Sequence, residues 1–175
     1  MERVSIVMGS SKQTTALLLM GANIDGRKNL AEALDRLQNH SKMEVEARSS
    51  VYRSPAIGPD GLPDGKPPFY NMAAAVVTTL TIGELRAALR RIEAEMGRVR
   101  VADKFAPRPI DLDIEFYGRG MASIDSVSVP DSKIGKHAHV ILPLAEIAPD
   151  WLHPELELSL SEIALRLTES EVEII

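Results

Sequence analysis

The stretch that decides how this chain is organised reads Arg108-Pro109-Ile110-Asp111-Leu112-Asp113. Side chains on a strand alternate between its two faces, so Asp111 and Asp113 point one way while Leu112 and Ile114 point into the core. Two carboxylates on one face repel each other unless a cation lies between them. Mg²⁺ is the natural occupant, because it binds carboxylate oxygens and completes its shell with phosphate oxygens. The stretch therefore predicts a core strand that carries a metal site.

Apolar spacing places five further elements upstream of this strand. The run from Leu30 to Leu37 has helical spacing, and Gly97 stands where a helix commonly ends. The predicted order is strand 16–20, helix 27–39, strand 45–51, strand 70–80, a helix that contains 85–96, and strand 112–117. This order is typical of the α+β ferredoxin-like βαββαβ fold, an antiparallel sheet with helices packed on a face. Helices over 140–147 and 159–167 are expected to follow.

The bulk composition excludes several classes of function. The chain has 175 residues, of which 45% are hydrophobic, with a net charge of −5 and no cysteine. The acidic balance argues against nucleic-acid and membrane partners, and the lack of cysteine excludes disulfides and thiol chemistry. The apolar run near the start is too short to cross a bilayer, so the cytoplasm is the expected location. We expect residues 1–15 to be an N-terminal extension, residues 16–175 to form a single domain, and the protein to be a monomer or weak dimer.

The sequence predicts two polar loops, a proline-rich loop over 54–68 and a loop over 98–108, the arginine loop, directly before the metal strand. Residues 54–68 hold five prolines and three glycines, and loops of this length inside a compact domain are usually functional or disordered. Arg98, Arg100 and Arg108 supply permanently charged, planar groups that suit phosphate. Taken alone, the carboxylate pair is more often a solvated strand face, and the arginines are as often surface ion pairs. Together they indicate phosphoryl transfer from a nucleotide.

A series of motifs runs in order through residues 17–154. They are Gly21-Ala22-Asn23, Tyr52-Arg53-Ser54-Pro55, Phe69-Tyr70-Asn71, Ile92-Glu93, Gly97-Arg98-Val99-Arg100, Pro107-Arg108-Pro109-Ile110-Asp111-Leu112-Asp113-Ile114 and Pro143-Leu144-Ala145-Glu146-Ile147-Ala148-Pro149. This series resembles the 6-hydroxymethyl-7,8-dihydropterin pyrophosphokinase family of folate biosynthesis. The resemblance implies an enzyme that moves the β,γ-pyrophosphoryl group of ATP onto the hydroxymethyl oxygen of the pterin and leaves AMP.

The resemblance also implies a role for each matching residue. Asp111 and Asp113 would hold two Mg²⁺ ions between the phosphates of the co-substrate ATP, and Arg98 and Arg108 would act in catalysis over those phosphates. The residues that would line the nucleotide site are Glu93, Arg100, Ile114 and Ser128. The residues that would bind the pterin are Ser54, Pro55, Ile57, Phe69 and Asn71. The two polar loops would close over both small-molecule substrates and exclude water.

The chain departs from the family pattern at several site positions. Asp131 stands in place of a histidine that faces the triphosphate, His137 in place of an arginine, and His139 in place of a phenylalanine that stacks on the pterin. Arg90 replaces a glutamine that faces the nucleotide, and Phe105 replaces a tryptophan of the arginine loop. These substitutions bear on rate and substrate more than on fold.

Three alternatives follow from these departures. A shifted register would let Lys133 or Lys136 supply the missing positive charge. The same chemistry could act on a different pterin-like acceptor, because His139 changes the stacking position. The third alternative is a protein that binds a pterin or a nucleotide without catalysis, since the carboxylate of Asp131 would lie next to the phosphates. A zinc site at His137 and His139 lacks an evident third ligand.

Overall fold

The structure, a computed structural model, describes residues 12–103, 105–131, 134–167 and 172–175. Its strands are β1 Thr14–Ala22, β2 Met43–Arg48, β3 Tyr52–Ser54, β4 Phe69–Thr78, β5 Asp111–Tyr117, β6 Ala122–Ile124, β7 Val127–Val129 and β8 Glu173–Ile174. Its helices are α1 Gly26–Gln38, α2 Ile82–Glu95, α3 Ala138–Ile147 and α4 Leu160–Leu165, with a short 3₁₀ helix over Ile134–Lys136. Within those ranges, no helix has the length and apolar character that crossing a bilayer requires.

The main sheet is antiparallel, as the sequence predicts. Its order is β5-β1-β4-β3-β8, with β2 also paired to β4, and every pairing is antiparallel. The α+β ferredoxin-like class is thereby confirmed. The prediction of one strand over 45–51 is wrong, because β2 ends at Arg48 and β3 begins at Tyr52. Between them the Ser49 hydroxyl accepts a hydrogen bond from the backbone N–H of Ala73 at 2.9 Å, so a side chain interrupts the ladder.

Helices cover both faces of the sheet, whereas the sequence predicted helices on a face. Alternation along β1 sends Leu18 and Met20 into a core under α1 and α2, and Leu17 into a second core. The second core packs Phe116 and Trp151 against the apolar sides of α3 and α4. The sequence did not predict the second helical layer, because the apolar pattern of a short helix does not indicate which face of the sheet the helix covers.

The ends of α2 place the arginine loop beside β5. Thr81 and Glu84 form a reciprocal capping box at its start, and Gly97 follows its end with φ of 88°, the C′ position predicted from the sequence. The β6–β7 hairpin, which the sequence did not predict, follows β5. Of the predicted N-terminal extension, residues 1–11 lie outside the described residues, and β1 begins at Thr14.

Candidate active site

β1 lies between the two strands that carry the predicted site residues. In the register of the sheet, Gly21 is paired with Asn71 of β4 on one side and with Asp111 of β5 on the other. Leu19, two residues earlier on the same face, is paired with Asp113. Neighbouring strands lie about 4.8 Å apart, so the backbones of Asn71 and Asp111 are about 10 Å apart. The register thus sets the carboxamide and the carboxylates side by side on one sheet face.

Gly21 is required for this arrangement by a close approach. A Cβ atom at position 21 would lie 3.1 Å from Asn71 Oδ1 and 3.8 Å from Phe69 Cδ1. The absence of a side chain lets the Asn71 carboxamide lie against the backbone of β1. Asn71 is 3% exposed, and its Nδ2 donates a hydrogen bond to Ser54 Oγ at 3.0 Å. The polar edge of Asn71 is therefore oriented by a buried partner.

A cavity of about 230 Å³, here named the Asn71 cavity, opens over this row. Its lining contains all five residues predicted to bind the pterin: Ser54, Pro55, Ile57, Phe69 and Asn71. The remaining lining residues are Leu19, Gly21, Arg108, Asp111, Asp113 and His139. The Arg108 guanidinium lies 5.6 Å from the centre of the Phe69 ring, within the range of a cation–π contact. The cavity combines an apolar wall with one amide edge, which suits a flat heterocycle.

A second cavity of about 340 Å³, here named the Ile114 cavity, lies along the outer side of β5. The predicted site residues in its lining are Arg98, Arg100, Asp111, Asp113, Ile114 and Ser128. Asp111 and Asp113 line both cavities, so the carboxylates stand where the two spaces meet. Glu93 is the exception among the predicted nucleotide residues, because it is buried beneath Arg98 and Arg100 rather than facing the cavity.

Two arginines are paired with Asp111. Arg98 Nη1 donates to Asp111 Oδ1, and Arg108 Nη1 donates to Asp111 Oδ2 at 2.8 Å. Burial would lower the pKa of Arg98, but the carboxylates of Asp111, Glu93 and Asp113 raise that pKa above its ordinary value. The arginines predicted to contact phosphate are thus held directly beside the predicted metal carboxylates.

Asp113 is a carboxylate of the site with a strongly raised pKa. Desolvation, followed by the carboxylates of Asp111 and Glu93, raises the pKa of Asp113 to about 7. A cation between Asp111 and Asp113 would relieve this repulsion, and carboxylate oxygens are the ligands that Mg²⁺ prefers. The donor set therefore fits the predicted metal.

The substituted residues also reach the two cavities. Asp131 and Arg90 line the Ile114 cavity, and His139 lines the Asn71 cavity. Burial and the neighbouring His137 lower the pKa of His139 to about 4, so its imidazole is neutral. The His137 and His139 rings lie 5.5 Å apart, but within the described ranges no group of three or more His, Asp or Glu could hold a metal. Of the lysines in the shifted-register alternative, Lys136 is exposed and Lys133 lies outside the described residues.

The sequence analysis did not identify two residues that join the proline-rich loop and the arginine loop. Asn23 Oδ1 accepts from the backbone N–H of Arg108 at 2.8 Å, and Asn23 Nδ2 donates to the Pro67 carbonyl at 3.3 Å. Lys66 Nζ donates to the Phe105 carbonyl at 3.2 Å. Asn23 stands in the first family motif, which was the available signal, but its partners lie 44 and 85 positions away in the chain. Only the folded chain shows that it connects both loops.

A third missed residue is Glu115, which continues the carboxylate row of β5. It lies two positions after Asp113, at the bulge in the pairing of β5 with β1, and lines the Ile114 cavity. Burial, followed by the carboxylates of Asp113, Asp131 and Asp111, raises the pKa of Glu115 to about 8. Strand alternation was the signal that could have found it.

Comparisons with known proteins agree with this geometry. The model of the 7,8-dihydro-6-hydroxymethylpterin-pyrophosphokinase family matches residues 17–149. A 2-amino-4-hydroxy-6-hydroxymethyldihydropteridine pyrophosphokinase from Synechocystis sp. is 36% identical over 140 residues, covering 79% of this chain and 69% of the relative. The enzyme of the same name from Pseudomonas aeruginosa is 34% identical over 137 residues, covering 78% and 82%. The chain belongs to the 7,8-dihydro-6-hydroxymethylpterin-pyrophosphokinase family, the pyrophosphoryl-transfer enzymes of folate biosynthesis that use ATP.

A solved structure shares the fold at low identity. The wild-type HPPK-DHPS of Plasmodium falciparum, crystallised with pterin and p-hydroxybenzoate, superimposes with a TM-score of 0.65 at 13% identity. The match covers 89% of this chain and 42% of that one, so the chain spans less than half of that longer protein. This likeness supports the fold assignment.

Proposed function

We propose that the chain transfers the β,γ-pyrophosphoryl group of ATP to the hydroxymethyl oxygen of 6-hydroxymethyl-7,8-dihydropterin, releasing AMP. The observation that carries the proposal is the position of Asp111 and Asp113, which line both cavities at once. A nucleotide in the Ile114 cavity and a pterin in the Asn71 cavity would meet at these carboxylates. Direct transfer needs the attacking and leaving oxygens close together and aligned, so it requires such a junction.

The Asn71 cavity supplies recognition of the acceptor. The carboxamide of Asn71, held by Ser54, offers donor and acceptor groups to the edge of a pterin ring. Phe69 supplies part of the apolar wall. Because the amide is buried and oriented before the substrate arrives, little ordering is left to be done on binding.

The junction supplies the groups that act on phosphate. Asp111 and Asp113 would bind two Mg²⁺ ions, which supply charge neutralisation and alignment of the reacting oxygens when bound. Arg98 and Arg108 hold both oxygens of Asp111. A cation on Asp111 would compete with these guanidinium groups for its oxygens, and the phosphates would be further anions within their reach. No nucleophilic side chain is needed, since positioning and charge stabilisation carry this class of reaction.

The two substrate loops would shield the junction from water. Asn23 bonds both the arginine loop, through Arg108, and the proline-rich loop, through Pro67. Lys66 adds a bond between the same loops. We further propose that residues 16–175 act as one domain, that the protein is a monomer or weak dimer, and that its partners are these small molecules rather than nucleic acid or membrane.

The test is AMP release from ATP and Mg²⁺ with and without 6-hydroxymethyl-7,8-dihydropterin. Pterin-dependent AMP in equal amount to the pterin diphosphate is the expected result. ATP binding without pterin-dependent AMP would contradict the proposal.

A second candidate keeps the chemistry and changes the acceptor. It is favoured by His139, a neutral imidazole in the lining of the Asn71 cavity where the family pattern has a phenylalanine. Calorimetry against a series of pterins would decide between the two. Tightest binding of 6-hydroxymethyl-7,8-dihydropterin removes this candidate.

A further inference from the structure

Glu93 is a buried carboxylate that lies behind the Ile114 cavity. It stands in the last turn of α2 and is 2% exposed. The described residues that line the two cavities include its neighbours Arg98, Arg100 and Asp111, but Glu93 is not among them. A side chain in this position could affect a bound ligand only through the residues in front of it.

Both oxygens of Glu93 are engaged by groups of the site. Oε1 accepts from Arg98 Nη1 at 2.6 Å and from the backbone N–H of Leu112 at 2.8 Å. Oε2 accepts from Arg100 Nη2 at 2.9 Å. One carboxylate therefore ties together the two arginines of the loop and the backbone between the two aspartates of β5.

The chain connectivity reinforces this arrangement. The backbone N–H of Arg98 donates to the Glu93 carbonyl at 3.0 Å, so the arginine loop leaves α2 directly over the carboxylate. Arg98 Nη1 also donates to the Ile110 carbonyl at 3.3 Å and to Asp111. The guanidinium of Arg98 is thus fixed between α2 and the start of β5.

The charges of Glu93, Arg98 and Arg100 stabilise one another. Burial raises the pKa of Glu93, while the N–H of Leu112 and the guanidinium of Arg98 oppose that rise. A buried carboxylate without its partners is an uncompensated charge, and an arginine without its carboxylate loses the fixed geometry of its planar group. Arg100 has a side chain that is 59% exposed, so its contact with Glu93 restrains an otherwise mobile group.

We propose that Glu93 is a positioning residue that sets the orientation of Arg98 and Arg100 for the phosphates, and that it does not itself contact the nucleotide. Only the expected effect on catalysis rests on the proposed function. The pairing itself is a property of the folded chain. A helix residue that lies outside both cavities would therefore set the orientation of the two arginines.

The test is a double-mutant cycle on Glu93→Gln and Arg98→Met, measured as pterin-dependent AMP release. Glutamine keeps an acceptor for Leu112 N–H but removes the charge, so we expect kcat to fall about 30-fold while KM for the pterin changes less than about 3-fold. Arg98→Met should cost more, and the double variant should lose clearly less than the product of the two single losses, because the part of the Glu93 effect that acts through Arg98 is already gone. Additive losses would overturn the proposal, because they would mean that Glu93 acts on the substrate independently of Arg98.

A second readout needs no turnover. In the unliganded protein, the guanidinium N–H signals of Arg98 and Arg100 are observed by NMR, and in Glu93→Gln both should shift and exchange faster with water. Unchanged arginine signals in that variant would overturn the proposal. If the wild-type chain makes no AMP, this readout still decides the role of Glu93, so failure of the proposed function is distinguishable from failure of this inference.

Two control variants complete the experiment. Glu93→Asp keeps the charge one methylene shorter and should recover part of kcat, which loss of folding alone would not predict. Glu95→Gln changes an exposed carboxylate two residues further along α2, where its partner is Arg36 rather than the site. Glu95→Gln should leave turnover and the arginine signals unchanged. A loss in Glu95→Gln equal to that in Glu93→Gln would overturn the proposal.

Discussion

Replacement of Gly21 by alanine would place a methyl group against the carboxamide that orients the Asn71 cavity. The new Cβ would lie 3.1 Å from Asn71 Oδ1, so the amide must shift by a few tenths of an ångström. It would also lie 3.8 Å from Phe69 Cδ1, which is an ordinary van der Waals contact. The substitution therefore acts on the amide and leaves the apolar wall in place.

The expected loss of binding follows from the hydrogen bonds of Asn71. The shift weakens the 3.0 Å bond to Ser54 and misaligns the amide edge that we propose reads the pterin. Loss of one or two well-aligned hydrogen bonds costs about 1–2 kcal/mol, which is about 5- to 30-fold in Kd. The strain should barely lower stability, since alanine in a strand interior gains roughly 0.5–1 kcal/mol over glycine.

Calorimetry with 6-hydroxymethyl-7,8-dihydropterin and a thermal melt together measure this effect. Gly83→Ala is the matched control, because its added Cβ in α2 would meet no atom of the described residues within 4 Å beyond its chain neighbours and its own helix backbone. That variant should bind pterin as the wild type does, and it should be more stable by about 0.5–1 kcal/mol. Pterin affinity in Gly21→Ala within about twofold of the wild type would refute the reasoning from close approach.

Three further predictions concern metal chemistry, pH and stability. We expect Asp111→Asn and Asp113→Asn each to lower AMP release by about 1,000-fold or more. Each substitution removes a metal-binding charge worth several kcal/mol in the transition state. Near-wild-type turnover in either variant would contradict the metal assignment. The pKa of His139 is lowered from 6.5 to about 4, so the unfolded chain binds more protons in that window and the free energy of unfolding should fall as pH drops from 6.5 toward 4. Denaturant unfolding across that range should show a shallower fall in His139→Phe than in the wild type, and equal slopes would argue against a buried neutral imidazole. Tyr52→Phe removes the 2.7 Å hydrogen bond to Glu146 and should lower the free energy of unfolding in urea by about 1–3 kcal/mol. Turnover per folded molecule should be unchanged. An unchanged urea midpoint would show that this bond contributes nothing to stability.

Several features of this protein follow from local sequence alone. The alternation from Asp111 to Ile114 predicts both the strand and the shared face of its carboxylates, because a strand has a period of two. The helix that ends before Gly97 follows from apolar spacing and from the ease with which glycine adopts positive φ. Element order predicts the ferredoxin-like sheet, since few topologies connect those elements without crossing. The strand and the helix end depend on residues close in the chain, and the class of sheet depends on the order of the elements along it.

Other features depend on pairings between distant residues. The proximity of Asn71 and Asp111 arises from the register of three strands, and no local pattern encodes a register across β1. The burial of Glu93 depends on how α2 packs against β5, so its motif position alone suggested a cavity residue. Asn23 acquires its role from partners in two remote loops. The sequence by itself determined which residue types form the candidate site and the sheet, whereas only the tertiary structure decided which of them face the two cavities, because orientation and burial are set by long-range packing.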